Sequence, residues 1–258
     1  MRVTRCHVPV PLSCGALVTL PQPAAVHVTR VLRLTSGAQL TLFDGRGGEY
    51  DAQLLEVGRG GVQARVGAHH PIEREAAVRV TLLQCLARGE RMDWIVQKAT
   101  ELGVAAIVPV SGRRSVMQLD AAAGGRRLAH WQAVAVSACE QCGRNRVPQL
   151  HTLRDLDDAC SEADPASLRL LLDPDAAESF PAALASAAAA TSAAAPGTAA
   201  APSVTLLVGP EGGLTAQESD GARQRGFERC RLGPRILRAE TAPIAALAAL
   251  QAVIGDLR

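Results

Sequence analysis

The chain has 258 residues, 48% apolar and 20% charged, a globular composition that excludes a disordered or fibrous protein and fills one large domain or two ordinary ones. Its six aromatic residues (Phe 3, Tyr 1, Trp 2) argue against a nucleic-acid site built from ranks of stacked rings, and no run approaches the roughly 18–20 apolar residues of a membrane span. The net charge of +2 conceals an asymmetry: residues 1–150 carry 18 basic against 11 acidic side chains and residues 151–258 carry 9 against 14, so an anionic partner is expected on the first half.

The N-terminal stretch is interrupted by Pro9, Pro11, Pro21 and Pro23 and lacks a clean apolar signal region, so it reads as mature, cytosolic sequence. Seven scattered cysteines, an odd number, fit a reduced compartment. Every basic residue but Lys98 is arginine, whose planar fork suits phosphates and bases. A GC-rich coding bias would explain the choice of arginine, though not its uneven placement.

Taken in chain order, residues 1–72 read as short strands and turns. Val26–Leu34 is a short basic segment of helical character, closed by Ser36-Gly37. Gln39–Phe43 alternates into the turn Asp44–Gly48, Glu49–Val57 is a second strand, Gly58–Gly61 turns, and Val62–Val66 returns. Strands spaced by such turns predict a small antiparallel barrel or sheet, with His69-His70-Pro71 as the exit linker.

From residue 73 the rhythm becomes strand and helix in alternation. Val78–Leu86, Val104–Val110, Leu168–Leu172 and Val204–Val208 are apolar strands. Glu90–Leu102 is a helix with Met92, Ile95, Val96, Ala99 and Leu102 at helical spacing and Gly103 as its C-terminal stop. Arg126–Cys142 is a second amphipathic helix, Thr215-Ala-Gln-Glu218 a capping box opening a third, and Thr241, a predicted N-cap, opens a last apolar helix to Ile254. The alternation predicts a parallel α/β sheet. The alanine-rich segment 182–202 reads as a helix and loop without chemistry.

Three segments could carry chemistry. In Val204–Glu218 a buried strand runs into a glycine-rich turn and a capped helix, the place where open α/β sheets bind ligands. It has neither the GxxxxGK[ST] of a phosphate loop nor the GxGxxG of a dinucleotide site, which removes a nicotinamide-dependent oxidoreductase from consideration. In Leu232–Ala242 a Gly-Pro bend leads to Arg235, Arg238 and Glu240 just before a helix, a group suited to clamping an anion or orienting a base; an ordinary surface loop would look the same. In Ala138–Pro148, Cys139 and Cys142 form a CxxC without the further ligands zinc needs. That CxxC ends a helix, where the dipole disfavours a thiolate, so the cysteines read as structural and Arg144-Asn145-Arg146 as the better phosphate or base contact. The six histidines show no HExxH or triad spacing.

Together these segments resemble the bacterial 16S ribosomal RNA uridine-N3 methyltransferase family, a branch of the SPOUT class. The matching residues are Arg88–Met92 (RGERM), Gln97–Gly103 (QKATELG), Cys139–Pro148 (CEQCGRNRVP), Leu207–Leu214 (LVGPEGGL) and Leu232–Thr241 (LGPRILRAET), with Arg30–Leu34 and Leu42–Gly45 resembling the family's RNA-binding part. The resemblance covers nearly the whole chain except 182–202, and Ala242-Pro243 departs from the usual small or hydroxyl residues after Glu-Thr.

It implies a PUA-like β-barrel gripping RNA over residues 1–72 and a SPOUT-type, trefoil-knotted, parallel-sheet α/β methyltransferase domain over 73–258. It further implies a cytoplasmic homodimer acting on 16S rRNA of the small ribosomal subunit, with no membrane and no metal. S-adenosylmethionine would lie against Leu172, the turn Gly209, Pro210, Glu211, Gly212 and Gly213, and Leu232, Gly233, Ile236 and Leu237. Arg238 would neutralise charge on a uracil carbonyl, and Glu211 or Glu240 would take the N3 proton or fix Arg238. Arg2, Arg5, Arg30, Arg33, Arg88, Lys98, Arg144, Asn145 and Arg146 are expected at the RNA. The alternative is a non-catalytic RNA-binding or ribosome-assembly protein that keeps the fold.

Overall fold

The computed structural model describes residues 3–58, 61–115, 121–192 and 202–257. The chain divides into two compact units, Met1–Glu75 with Val136–Val147, and Ala76–Ala135 with Pro148–Arg258.

The first unit holds a five-stranded sheet made of β1 (Thr4–His7), β2 (Leu17–Thr19), β3 (Gln39–Phe43), β4 (Glu49–Gly58) and β5 (Gly61–His70), in the order β1-β3-β4-β5-β2. Period-two alternation explains the long strands: Val62, Ala64 and Val66 of β5 point into a core shared with Leu40, Leu42, Leu54 and Val28. Register shifts between Tyr50 and Ala52 and between Leu54 and Glu56 mark bulges, which bend a strand and raise its twist.

Three expectations are corrected in this unit. The β1–β3 pair is parallel, so the sheet is not wholly antiparallel. His69 and His70 are not linker: they pair with Tyr50 and Glu49 and extend β5. The helical segment starts earlier, as α1 (Gln22–Val26), and continues as a π-helical turn over His27–Val31. Pro21 and Pro23 do not break it, because the first turn of a helix tolerates residues without an N–H.

The second unit is built on a parallel sheet. Its strands are β6 (Arg79–Cys85), β7 (Ala106–Ser111), β8 (Gln149–Leu150), β9 (Arg154–Asp155), β10 (Leu168–Leu172), β11 (Ser203–Val208) and β12 (Glu228–Cys230). They run β12-β10-β11-β6-β7-β8, with β9 also on β7, and every pairing is parallel. The inner strands β6 and β11 are buried over nearly their whole length, which is why they read as continuous apolar runs rather than alternating ones.

Helices α2 (Arg91–Glu101), α3 (Ala121–Cys142), α4 (Leu156–Ser161), α5 (Phe180–Ser192), α6 (Ala216–Gln224) and α7 (Thr241–Val253) complete the chain. α2 buries Met92, Ile95, Val96 and Ala99 and stops at Gly103, whose φ of +83° suits a residue without a β-carbon. In α7 the N-cap is Glu240, without a side-chain cap hydrogen bond, and Thr241 is the first helical residue. Pro243 is accommodated in that first turn, where its lack of an N–H leaves no intrahelical hydrogen bond unmade. α5 takes up the start of the alanine-rich segment; residues 193–201 of it lie outside the described residues.

Candidate active site

The site forms where β10, β11 and β12 end side by side. Because the strands are parallel, their carboxyl ends share one edge, and the loops leaving them converge. β11 delivers the turn Gly209–Gly213, closed by a hydrogen bond from Gly213 N to Pro210 O at 2.8 Å. Gly213 has φ +68° with open space around a would-be β-carbon, so the requirement there is conformational rather than steric.

The turn is held from both sides. Thr215 caps α6 in a reciprocal box: its hydroxyl accepts from Glu218 N at 3.2 Å, and Glu218 Oε2 accepts from Thr215 N at 2.7 Å. Glu218 Oε1 accepts from Arg113 N at 2.6 Å, which ties the helix start to the loop after β7. Burial pushes the Glu218 carboxyl up, but these backbone donors, the Thr215 hydroxyl and the Arg113 charge outweigh it and keep the group below the ordinary carboxylate value. Arg114 Nη1 donates to Gly212 O at 3.0 Å.

Leu172, Gly209 to Gly213, Leu232, Gly233, Ile236 and Leu237, together with Arg238, border one cavity of about 790 Å³, within the range of small-molecule sites. Its walls mix apolar side chains with the backbone of the glycine turn. Asp173 and Arg229 border it too, joined at 2.6 Å. The Arg235 and Arg238 side chains are exposed and meet no carboxylate among the described residues. Glu240 lies outside the cavity lining.

Arg91, at the start of α2, is the residue that sequence reasoning missed. Its Nη1 donates to Glu211 Oε1 at 2.9 Å and its Nε stands 3.6 Å from Glu240 Oε2, and it borders the cavity. One guanidinium thus joins three sequence segments far apart in the chain. Its only signal was membership of the Arg88–Met92 motif. Glu211 also accepts from Arg88 N at 3.1 Å. Burial pushes its carboxyl up, yet the Arg88 and Glu211 backbone N–H groups and Arg91 together hold it below the ordinary value. Glu240 Oε2 is buried without a hydrogen-bond partner. Neither carboxylate meets Arg238; both meet Arg91.

The expected RNA contacts fall into two groups. Arg5, Arg144 and Asn145 are turned inward in the first unit. Arg5 donates to Glu49 and to Asn145 Oδ1, each at 2.5 Å. Arg144 grips Glu75 with two donors at 2.5 and 3.1 Å, and Asn145 donates to Ile72 O at 2.7 Å. Those donors hold the unit together. Arg30, Arg33, Arg88 and Arg146 are exposed, Arg146 beside Glu73 at 3.2 Å. Lys98 bridges to Glu101 at 2.8 Å and lies 5.0 Å over the Trp94 ring. Arg2 lies outside the described residues.

Cys139 is buried and Cys142 half-buried, both free thiols, and burial pushes the Cys139 thiol up to about 12. Among the described residues no group of three His, Cys, Asp or Glu side chains could hold a metal ion, and no helix is long and apolar enough to cross a membrane.

Residues 74–251 match the family model of the RNA methyltransferase domain, and residues 20–67 that of the RNA methyltransferase PUA domain. Ribosomal RNA small subunit methyltransferase E of Bacillus subtilis is 32% identical over 229 residues, 87% of this chain and 85% of that protein. The crystal structure of ribosomal RNA small subunit methyltransferase E from Neisseria gonorrhoeae, bound to S-adenosyl methionine, is 34% identical with a TM-score of 0.86, covering 100% of both chains. A Legionella pneumophila protein solved with bound cofactor SAM is 35% identical with a TM-score of 0.89, again over 100% of both. By sequence over most of its length and by fold over all of it, the chain belongs to the ribosomal RNA small subunit methyltransferase E family of RNA methyltransferases.

Proposed function

We propose that this protein transfers a methyl group from S-adenosylmethionine to N3 of one uridine in 16S rRNA of the small ribosomal subunit. In this reading residues 1–72 are a PUA-like barrel gripping the RNA, and residues 73–258 are the catalytic domain, its last third threaded as a trefoil knot. The observation that carries it is the convergence of the three loops after β10, β11 and β12 on one cavity with Arg238 at its border. A cytoplasmic homodimer belongs to the same reading.

The residues present fit the cofactor. The glycine turn offers backbone donors and acceptors at close approach, and Leu172, Leu232, Ile236 and Leu237 offer an apolar slot for an adenine and ribose. When bound, S-adenosylmethionine supplies an electrophilic methyl group on a sulfonium. The chain's own task is positioning, since an in-line displacement gains most from fixed orientation. N3 of uridine is protonated and lies on the pairing edge, so the base must be presented unpaired. Arg238, whose side chain meets no carboxylate among the described residues, neutralises charge developing on a uracil carbonyl. Glu211, engaged by three donors, stays ionised and fixes Arg91 and the turn. Glu240 lies outside the cavity lining with its Oε2 buried 3.6 Å from Arg91 Nε, so it serves to hold Arg91, and Glu211, which borders the cavity, is the carboxylate placed to take the N3 proton.

Titration calorimetry with S-adenosylmethionine, followed by labelled methyl transfer to small-subunit RNA and mass mapping of the modified nucleotide, tests this. Saturable binding and label at N3 of a single uridine are expected. Absence of binding, or label on another base or atom, refutes it.

A further inference from the structure

In the first unit, α1 runs into the π-helical turn His27–Val31 and the chain leaves through Leu32 and Arg33. This corner is pinned. Leu32 N donates to His27 O at 3.0 Å, Leu34 N to Val28 O at 2.8 Å, and the Thr29 hydroxyl to Ala25 O at 2.7 Å, while Val28 is wholly buried. Arg33 has φ +53°, and no other non-glycine residue among those described has positive φ. A residue with a β-carbon adopts that backbone only where its surroundings impose it, and such positions, like π-helical turns, concentrate at functional sites.

What the corner presents is unusual. Val31 is 64% exposed and Leu32 39%, consecutive aliphatic side chains on a fixed backbone. Exposed Arg30 and Arg33 stand on either side of them in sequence, and neither guanidinium meets a carboxylate among the described residues. The chain has no acidic residue before Asp44. An apolar pair bracketed by unpaired arginines fits a polyanion with apolar faces between its charges. A second copy of the same corner would bring like charge against it.

We propose that Val31 and Leu32 form an apolar wedge that inserts between neighbouring bases of unpaired RNA, with Arg30 and Arg33 on the flanking phosphates. This rests on the RNA-substrate reading above and adds to it a specific device. Aliphatic wedges open base steps at a cost in stacking that flanking contacts offset, and unpaired RNA offers bases already splayed. The wedge would hold the strand open while the catalytic unit receives a single base.

The test is filter binding of transcribed small-subunit rRNA to the full chain across a salt series. Val31→Ser/Leu32→Ser is expected to bind roughly tenfold more weakly with an unchanged slope of log affinity against log salt. Arg30→Ala/Arg33→Ala is expected to lower that slope by about 1.5. A fully paired RNA duplex should bind the parent and the serine variant alike. Unchanged rRNA affinity in the serine variant, an equal loss on duplex, or a change from dimer to monomer in sedimentation overturns the wedge. Should the double variant melt early, Val31→Ser alone, at the more exposed position, gives the same readout. A parent protein that neither binds S-adenosylmethionine nor methylates RNA sinks the underlying reading; unchanged rRNA affinity of the serine variant in an active enzyme sinks the wedge alone.

Discussion

Arg91 and Arg238 divide the electrostatic work of the cavity between them. Arg91 is engaged by Glu211 and Glu240, whereas the Arg238 side chain borders the cavity and meets no carboxylate among the described residues. An arginine without internal partners is available to substrate; one bridging two carboxylates is available to the architecture. Arg238→Ala should therefore abolish methyl transfer while calorimetry still finds cofactor binding. Lost binding would make Arg238 part of the pocket wall instead. Arg91→Ala should lower kcat/KM by at least tenfold, about 1.4 kcal/mol of transition-state stabilisation, with the fold retained. Because Arg91 helps hold Glu211 below the ordinary carboxylate value, its loss raises that carboxyl, and the acid limb of the pH–rate profile should move to higher pH. A profile unmoved by the substitution would mean that Arg91 is packing alone.

At the scale of elements, the capped start of α6 carries the glycine turn. Thr215→Ala removes one side of the reciprocal cap and should cost about 1 kcal/mol, read as a lower melting temperature. Glu218 adds a pH dependence of known sign. Its folded-state pKa lies below the ordinary 4.5, so its stabilisation is present above pH 4.5 and is lost as pH falls through the folded value. Melting temperatures between pH 3 and 7 should fall at the acid end, and Glu218→Gln should flatten that fall. An acid limb equally steep in the variant would place the titration elsewhere, Glu211 and Glu49 being the other carboxylates held low; at Glu49 burial pushes the carboxyl up, but Arg74, Arg5 and Asn145 outweigh that.

Over the whole molecule, cysteine burial gives an independent check on the two cores. Cys6 and Cys230 are buried with thiols pushed up to about 12, and Cys160 to about 11; Cys85 and Cys139 are buried as well, and Cys14 is exposed. A thiol reagent at pH 8 should modify Cys14 at once, Cys142 more slowly, and the five buried thiols only on unfolding. Fast reaction at Cys139 would contradict the packing of the segment Val136–Val147 with the first unit.

The strands and helices of the second unit were legible because burial on both faces forces continuous apolar runs and burial on one face forces helical spacing. Leu206 and Leu207 show the first, Met92, Ile95 and Val96 the second. The elements that escaped were β8, β9, α4 and β12, of two to six residues, too short to show a period. The ordered motifs carried the family and drew attention to the glycine turn and the arginines after Gly233. Only the tertiary structure decided which charged side chains are spent. Arg5 and Arg144 read as RNA contacts because a sequence records a guanidinium but not the carboxylate that folding sets against it. Arg91 passed unnoticed because its partners, Glu211 and Glu240, lie more than a hundred residues away, at a distance along the chain that no local pattern encodes.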